Sequence, residues 1–332
     1  MKKKKYLIAV LFTMIMLLSG CTKYLTDENK KRVVNEETGQ AVTSNILCLP
    51  ESESLLKVYE DNKDNLSVNY DSLKTCSEYS PSDISYTGLW ETIFVKPLAW
   101  IIIKVGDLVA NYGIAVMILG IVIRLILLPF TKKSLMQSEN MKKAQPEIQA
   151  IQRKYSNVQD QSQMMQMGQE MNMVYKKYNV SPAGGCVTAF IQLPILLAFL
   201  EAINRVPAIF EGELLSLQLG TSPSVGIQKG NYLYIIIIIL IIASTYFSYK
   251  NAMSANGGND EQAKQMKSMM IFMIAFISIA SLSLPTALAL YWIVSNVFVI
   301  IQNFIVKKML NKSKSSGKVK ETKKEKFQKK GK

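Results

Sequence analysis

Long apolar runs dominate the second half of the sequence and restrict what the chain can fold into. A transmembrane helix needs about 17–25 mostly apolar residues. Five segments meet this requirement: 111–131, 183–204, 231–249, 268–284 and 286–306. Pro285 alone separates the last two, so a tight hairpin joins them. The sequence therefore predicts an all-α membrane protein with five transmembrane helices within residues 111–306.

Charge is distributed unevenly along the chain. Residues 22–95 carry thirteen acidic and seven basic side chains, whereas residues 307–332 carry twelve lysines and two glutamates. Lys and Arg near helix ends are retained in the cytoplasm. We therefore expect the acidic segment outside the membrane and the 307–332 tail in the cytoplasm, an arrangement that five spans satisfy.

The first twenty residues have the layout of a signal peptide, with four lysines, a short apolar run and small residues before Cys21. The letters LSGC resemble the lipobox of bacterial lipoproteins, in which the cysteine receives a diacylglyceryl group. The resemblance predicts a lipidated Cys21 at the mature N-terminus, and an uncleaved signal anchor is the alternative. Either way residues 21–87 are exported, and their polar, aperiodic composition predicts a weakly ordered tether with no assignable function.

Histidine and cysteine usage limits the chemistry that the chain can perform. There is no histidine, and the four cysteines show no C-x-x-C spacing. A histidine-based triad is therefore excluded and a thiolate metal site is disfavoured, so we expect neither a cofactor nor an enzymatic activity. Cys48 and Cys76 both lie in the exported segment, where an oxidising compartment would permit a disulfide. The sequence leaves open whether they pair.

The segment 88–110 mixes apolar and polar residues in a way that favours a helix lying in the outer membrane interface over a spanning helix. Its polar residues project within about a third of a helical wheel. They are Thr92, Lys96, Lys104, Asp107 and Asn111. Pro97 is expected to kink or restart this helix.

The cytoplasmic loop 131–180 contains two stripes of apolar residues at alternating spacings of three and four, which is the helical period. The first stripe is Met141, Ala144, Ile148, Ile151 and Tyr155, and the second is Met164, Met167, Met171, Val174 and Tyr178. The stripes predict the seam of an antiparallel helical hairpin. A methionine-rich surface for apolar segments is the alternative. Pro146 is expected to bend the first arm.

Arg124 interrupts the first predicted span, GIAVMILGIVIRLILLPF. Placing a guanidinium in hydrocarbon costs at least about 2.5–3.5 kcal/mol, so the charge needs a compensating environment. Arg124 lies eight residues before Lys132, roughly 12 Å deeper along a helix. It either reaches back to the inner headgroups or faces a wet cavity between helices.

Polar residues in the other predicted spans are candidates for the walls of that cavity. They are Thr188, Gln192, Thr245, Ser248, Tyr291, Ser295 and Asn296. Ser, Thr and Asn often simply bond across helices. Their presence alone therefore does not establish a cavity.

Several motifs together resemble the YidC family of membrane protein insertases. These are the arginine-bearing first span, the letters QPEI in the hairpin, GGC at the start of the second span and LYWIVSN in the last. The match runs from about Gly88 to Lys308, and the lipobox resembles the Gram-positive branch of the family.

The resemblance implies a non-enzymatic insertase with a hydrophilic groove open to the cytoplasm and to lipid. It implies that Arg124 lines the groove, with Trp292 as the last-span aromatic and Ser248 as a third-span polar residue. Gln192 matches the family's second-span glutamine. Tyr291, Ser295 and Asn296 complete the candidate set.

The implied partners are nascent membrane proteins, the Sec translocon and membrane lipids, for a monomeric protein of the bacterial cell membrane. The 307–332 tail can contact ribosomal RNA or anionic lipid, or serve only as a topology anchor. An ion channel or transporter is the alternative function. It would need a continuous pore or paired intramembrane ligands.

Overall fold

The computed structural model describes residues 22–36, 38–83, 87–156, 160–181, 184–253 and 261–329. Cys21 and the predicted signal peptide lie outside these residues, as do the side chains of Thr188 and its neighbours. The described chain is mostly helical, as the sequence predicts.

Helices carry the fold, and short strands occur at two places. In chain order, β1 is Val34–Asn35, β2 is Gln40–Ala41, α1 is Glu53–Asp61, α2 is Lys96–Val109, α3 is Tyr112–Ile126, α4 is Leu128–Lys154, α5 is Gln161–Lys177, α6 is Gly184–Arg205, α7 is Pro207–Glu211, β3 is Glu213–Leu214, β4 is Leu217–Gln218, α8 is Pro223–Gln228, α9 is Leu233–Met253, α10 is Glu261–Ser281 and α11 is Thr286–Lys329.

Two helices within the described residues are individually long and apolar enough to cross a membrane. They are α9, over Leu233–Lys250, and α11, over Thr286–Val306. A third candidate results if α3 and α4 together count as one broken span. The arrangement with five spans stays a prediction.

The chain divides into two compact units. Unit 1 takes the described residues up to Ile123, with Ile191–Ala243 and Ala275–Val294, and unit 2 takes Arg124–Phe190, Ser244–Ile274 and the chain from Ser295 onward.

The part of unit 1 that the sequence predicts to be exported is folded, which corrects the prediction of a weakly ordered tether. Its core consists of Leu25, Val42, Ile46, Leu55, Tyr59 and Leu73. β1 pairs antiparallel with β2, and Cys48 forms a disulfide with Cys76. The prediction was wrong because these apolar side chains lie on loops and on one short helix, where no regular period marks them.

Part of this segment's support comes from the end of α6. Asn204 accepts a hydrogen bond from the Thr43 hydroxyl at 2.8 Å, and Arg205 Nε donates to the Asn45 carbonyl at 2.6 Å. The Leu47 amide in turn donates to the Arg205 carbonyl at 2.8 Å. Residues far apart in sequence thus satisfy each other's buried polar groups.

The helix predicted for segment 88–110 forms. It restarts at Pro97, which is one of the two outcomes that the sequence predicted. A π-helical turn over Glu91–Val95 precedes α2, and Pro97 lies in the first turn of α2. Proline is tolerated there because the first amides of a helix have no partner within it. Lys96, one of the polar residues of this helix, is only 1% exposed. The carboxylate of Glu91, in the π-helical turn, attracts the buried ammonium group of Lys96.

The predicted hairpin of unit 2 is confirmed. Ala144 and Ile148 of α4 pack with Val174 of α5 and with Val180, and the remaining contacts include Met141, Ile151, Met171 and Tyr178. Met164 departs from the seam because it is 62% exposed at the start of α5.

α4 continues through Pro146 to Lys154, so the bend expected at Pro146 stays a prediction. The helical course of the chain breaks at Leu127, between α3 and α4. The position of this break follows from Pro129, which lies in the first turn of α4. In an uninterrupted helix its ring would clash with the carbonyl four residues earlier.

Candidate functional site

Arg124 of unit 2 is turned inward near the end of α3. Its side chain is 8% exposed, whereas the next two residues, Leu125 and Ile126, are 52% and 66% exposed. It interacts electrostatically with Tyr249 of α9. A side chain that reached for headgroups would expose its guanidinium, so this burial favours a position among helices.

Polar side chains of α9 and α11 meet within unit 2. Asn296 Nδ2 donates to Thr245 Oγ1 at 3.0 Å and contacts Ser244 Oγ at 3.3 Å. Ser295 is 2% exposed beside Asn296. Ser248, one turn further along α9, is only half-buried. Among the candidate residues of α9, Thr245 therefore makes the hydrogen bond to Asn296 and Ser248 does not.

The polar face of α11 extends beyond the residues that the sequence singled out. Gln302 Nε2 donates to Thr131 Oγ1 of α4 at 2.8 Å, and Gln302 and Asn303 are both buried. These two residues follow Ser295 and Asn296 by seven positions, so all four lie on one side of the helix. That repeat in the sequence was the signal that could have found them.

Unit 1 contains a second set of candidate residues. Gln192 Nε2 of α6 donates to the Tyr291 hydroxyl of α11 at 2.9 Å. The Tyr291 ring stacks on Phe199, with centroids 4.1 Å apart. Trp292, the next residue, is half-buried. The structure therefore brings Gln192 and Tyr291 together and leaves Trp292 partly accessible.

A buried group of charges lies at the other end of α6, also in unit 1. Arg205 Nη1 is 3.1 Å from Glu91 Oε1, and Trp90 Nε1 donates to Glu201 Oε1 at 3.0 Å. Burial lowers the pKa of Lys96, and the neighbouring Glu91 opposes that effect. Because the acidic and basic side chains of this group offset each other's charge, we assign the group a structural role in holding α2 against α6.

No group of three potential metal-ligating side chains occurs within the part of the chain that the structure describes. Within unit 2 the buried polar groups of α9 and α11 are amides and hydroxyls, and Arg124 adds a guanidinium. Such groups bind water or hydrogen-bonding parts of a visiting molecule.

The sequence matches the model of one protein family, described as 60Kd inner membrane protein, over residues 104–314. A membrane protein insertase YidC from Oceanobacillus iheyensis is 33% identical over 238 residues, which cover 71% of this chain and 91% of that protein. The membrane protein insertase MisCA from Bacillus subtilis is 36% identical over 219 residues, covering 66% and 79% of the two chains.

One solved structure, titled "Active YidC insertase crystal structure with the first transmembrane domain resolved", aligns with 24% identity and a TM-score of 0.47. The alignment covers 66% of this chain and 47% of that one, so this chain spans about half the length of the solved protein.

Proposed function

The chain belongs to the 60Kd inner membrane protein family, and from this membership we infer that it is a membrane protein insertase of a bacterial membrane. The relatives that it matches are named membrane protein insertases, and the alignments cover most of their length. The inferred activity is the transfer of nascent membrane proteins from the cytoplasm into the bilayer.

The observation that carries a mechanism is the burial of Arg124 in a unit where α9 and α11 also carry buried polar side chains. A hydrophilic segment of a substrate pays several kcal/mol to cross hydrocarbon, as a rough estimate, because its polar groups lose their water. Buried amides and hydroxyls replace part of that hydration, and a positive charge attracts acidic groups. The arrangement lowers the barrier for an acidic exported tail.

We propose that these residues form a hydrophilic groove open to the cytoplasm and to lipid. Arg124 supplies the charge, and Ser248, Ser295 and Asn296 of the same unit supply polar wall positions. Gln192, Tyr291 and Trp292 of unit 1 are proposed as further residues that contact substrate. The sequence carries no G-x-x-x-x-G-K-[ST] motif. The energy for transfer then comes from partitioning of the apolar segment, from the membrane potential or from translation.

The proposed topology follows the charges of the sequence. Five spans place a lipidated Cys21 and the folded exported segment outside, and the hairpin and the 307–332 tail in the cytoplasm. The proposed partners are the Sec translocon, membrane lipids and the ribosome, with the insertase acting as a monomer.

Site-specific photocrosslinking in membranes tests the groove. A photoreactive residue at Ser248, which is half-buried, is compared with one at Ile239 of the same helix, which is 57% exposed. Stalled nascent chains of a single-span protein are presented at increasing lengths. We expect adducts at Ser248 over a limited range of chain lengths and none at Ile239.

Equal adducts at both positions, or none at either, would contradict the groove. Flux of ions through the purified protein in vesicles, without any adduct at Ser248, would favour the channel alternative instead.

A further inference from the structure

An apolar groove in unit 2 lies where the membrane-spanning part of α11 ends. Its volume is about 300 Å³, at the lower end of the range for ligand sites of roughly 300–1,000 Å³. It is lined by Leu125, Leu128, Lys132, Phe298, Ile301, Gln302, Ile305, Val306 and Met309.

The groove has a sealed floor and an open apolar rim. Val306 and Gln302 are each 5% exposed, and Gln302 uses its amide for the hydrogen bond to Thr131. Ile301 and Ile305, one turn apart on α11, are about half exposed. The opening is therefore apolar, and the polar group beneath it is already partnered.

One charge lies on the groove. Lys132 of α4 is exposed and is the only ionisable residue in the lining. The next residue, Lys133, is also exposed but is not part of the lining. The site thus combines a long apolar surface with a single cation at its edge.

From this combination we propose that the groove binds an anionic phospholipid, with an acyl chain along Ile301 and Ile305 and the headgroup phosphate on Lys132. α11 is apolar enough to cross a membrane as far as Val306, and Lys307 and Lys308 follow. The groove therefore lies at the level where acyl chains meet headgroups. Basic pockets between spanning helices on the cytoplasmic side are suited to such lipids. The inference does not depend on the proposed function.

The test uses the full chain in vesicles of phosphatidylcholine and phosphatidylglycerol. Each lipid is supplied in turn with a photoactivatable group on its acyl chain, and labelled residues are located by mass spectrometry. We expect labelling of Ile301, Ile305 and Met309 to be stronger with the phosphatidylglycerol probe. Lys132→Gln should reduce that labelling about fivefold, and the matched variant Lys133→Gln should leave it unchanged.

Labelling of Ile239 on α9 reports whether the variants still insert and fold. Equal labelling by the two probes, or equal losses in the two lysine variants, would overturn a headgroup-selective site. Displacement of the lipid label by a stalled nascent chain would overturn it as well, because the groove would then hold apolar substrate segments.

Discussion

At the scale of single residues, the cost of burying Arg124 must be offset by its surroundings. A guanidinium in hydrocarbon costs at least about 2.5–3.5 kcal/mol. The buried hydroxyls and amides of α9 and α11 provide a polar environment in the same unit. In the proposed groove, a substrate carboxylate meets a positive charge without reorganisation of the protein.

Arg124→Ala is expected to reduce insertion of substrates with acidic exported tails by about tenfold or more, since loss of a favourable interaction of about 1.4 kcal/mol lowers a rate tenfold. Substrates with neutral tails should be affected less, and Arg124→Lys should retain most of the activity. The measurement is protease protection of the exported tail after synthesis in the presence of insertase-containing vesicles.

Arg153→Ala, which removes a positive charge from the exposed end of the hairpin, is the matched control and should insert both substrates normally. If Arg124→Ala inserted acidic and neutral tails as well as the unmodified protein does, the charge would have no part in the mechanism.

Polar residues within apolar helices were easier to identify from the sequence than the residues that they contact. A polar side chain within an apolar run is conspicuous, so Arg124 and Asn296 were identified directly. The partner of Asn296 depends on how deeply α9 sits beside α11, and Thr245 and Ser248 differ by about 4.5 Å along the helix axis. Sequence period defines the face of a helix but not that depth.

At the scale of elements, the hairpin and the exported segment show what periodicity can and cannot reveal. Ala144, Ile148 and Val174 repeat with the helical period, so the seam was predictable. In the exported segment, Leu25 and Tyr59 join one core from unrelated positions. The disulfide between Cys48 and Cys76 closes this region, and the sequence alone did not decide that pairing.

Two ion pairs connect the arms of the hairpin and make its stability depend on pH. Lys177 Nζ lies 2.6 Å from Glu147 Oε1, and Lys154 Nζ lies 2.6 Å from Glu170 Oε1. Hydrogen bonds from these lysines lower the pKa of each carboxyl below its ordinary value of 4.5. A lowered carboxyl pKa means that the pairs stabilise the hairpin above about pH 4.5 and lose this contribution as the pH falls through the lower value of the folded state.

We therefore expect amide-exchange protection factors in α4 and α5 to fall modestly below pH 4.5, corrected for the intrinsic exchange rate. The double variant Glu147→Gln, Glu170→Gln should show lower protection at neutral pH and no further acid-dependent loss. Glu139→Gln is the control, because Glu139 pairs with Lys142 within one helix and does not connect the arms. A fall of the same size in the double variant would assign the pH dependence to other groups.

At the scale of the whole molecule, charge separates the two ends of the chain. The acidic segment near the N-terminus is folded against α6, and the lysine-rich end continues α11 as a helix to Lys329. At about 1.5 Å per residue, the stretch after Val306 extends roughly 35 Å. A cationic extension of that length can neutralise phosphates on a large partner, and we infer a ribosome as that partner.

Removal of residues 312–332 is expected to weaken co-sedimentation of insertase-containing vesicles with ribosomes. The binding of the full chain should fall steeply with salt, by about a thousandfold to a hundred-thousandfold between 50 and 200 mM for six to ten phosphate contacts. A variant with the lysines of this stretch changed to glutamine separates charge from length and should bind as weakly as the truncated chain. A lipid headgroup and an RNA phosphate attract the same cation, so a second measurement uses the detached tail peptide and anionic vesicles. If both variants kept ribosome binding, but the lysine substitutions abolished binding of the peptide to these vesicles, the lysines would serve the membrane surface instead.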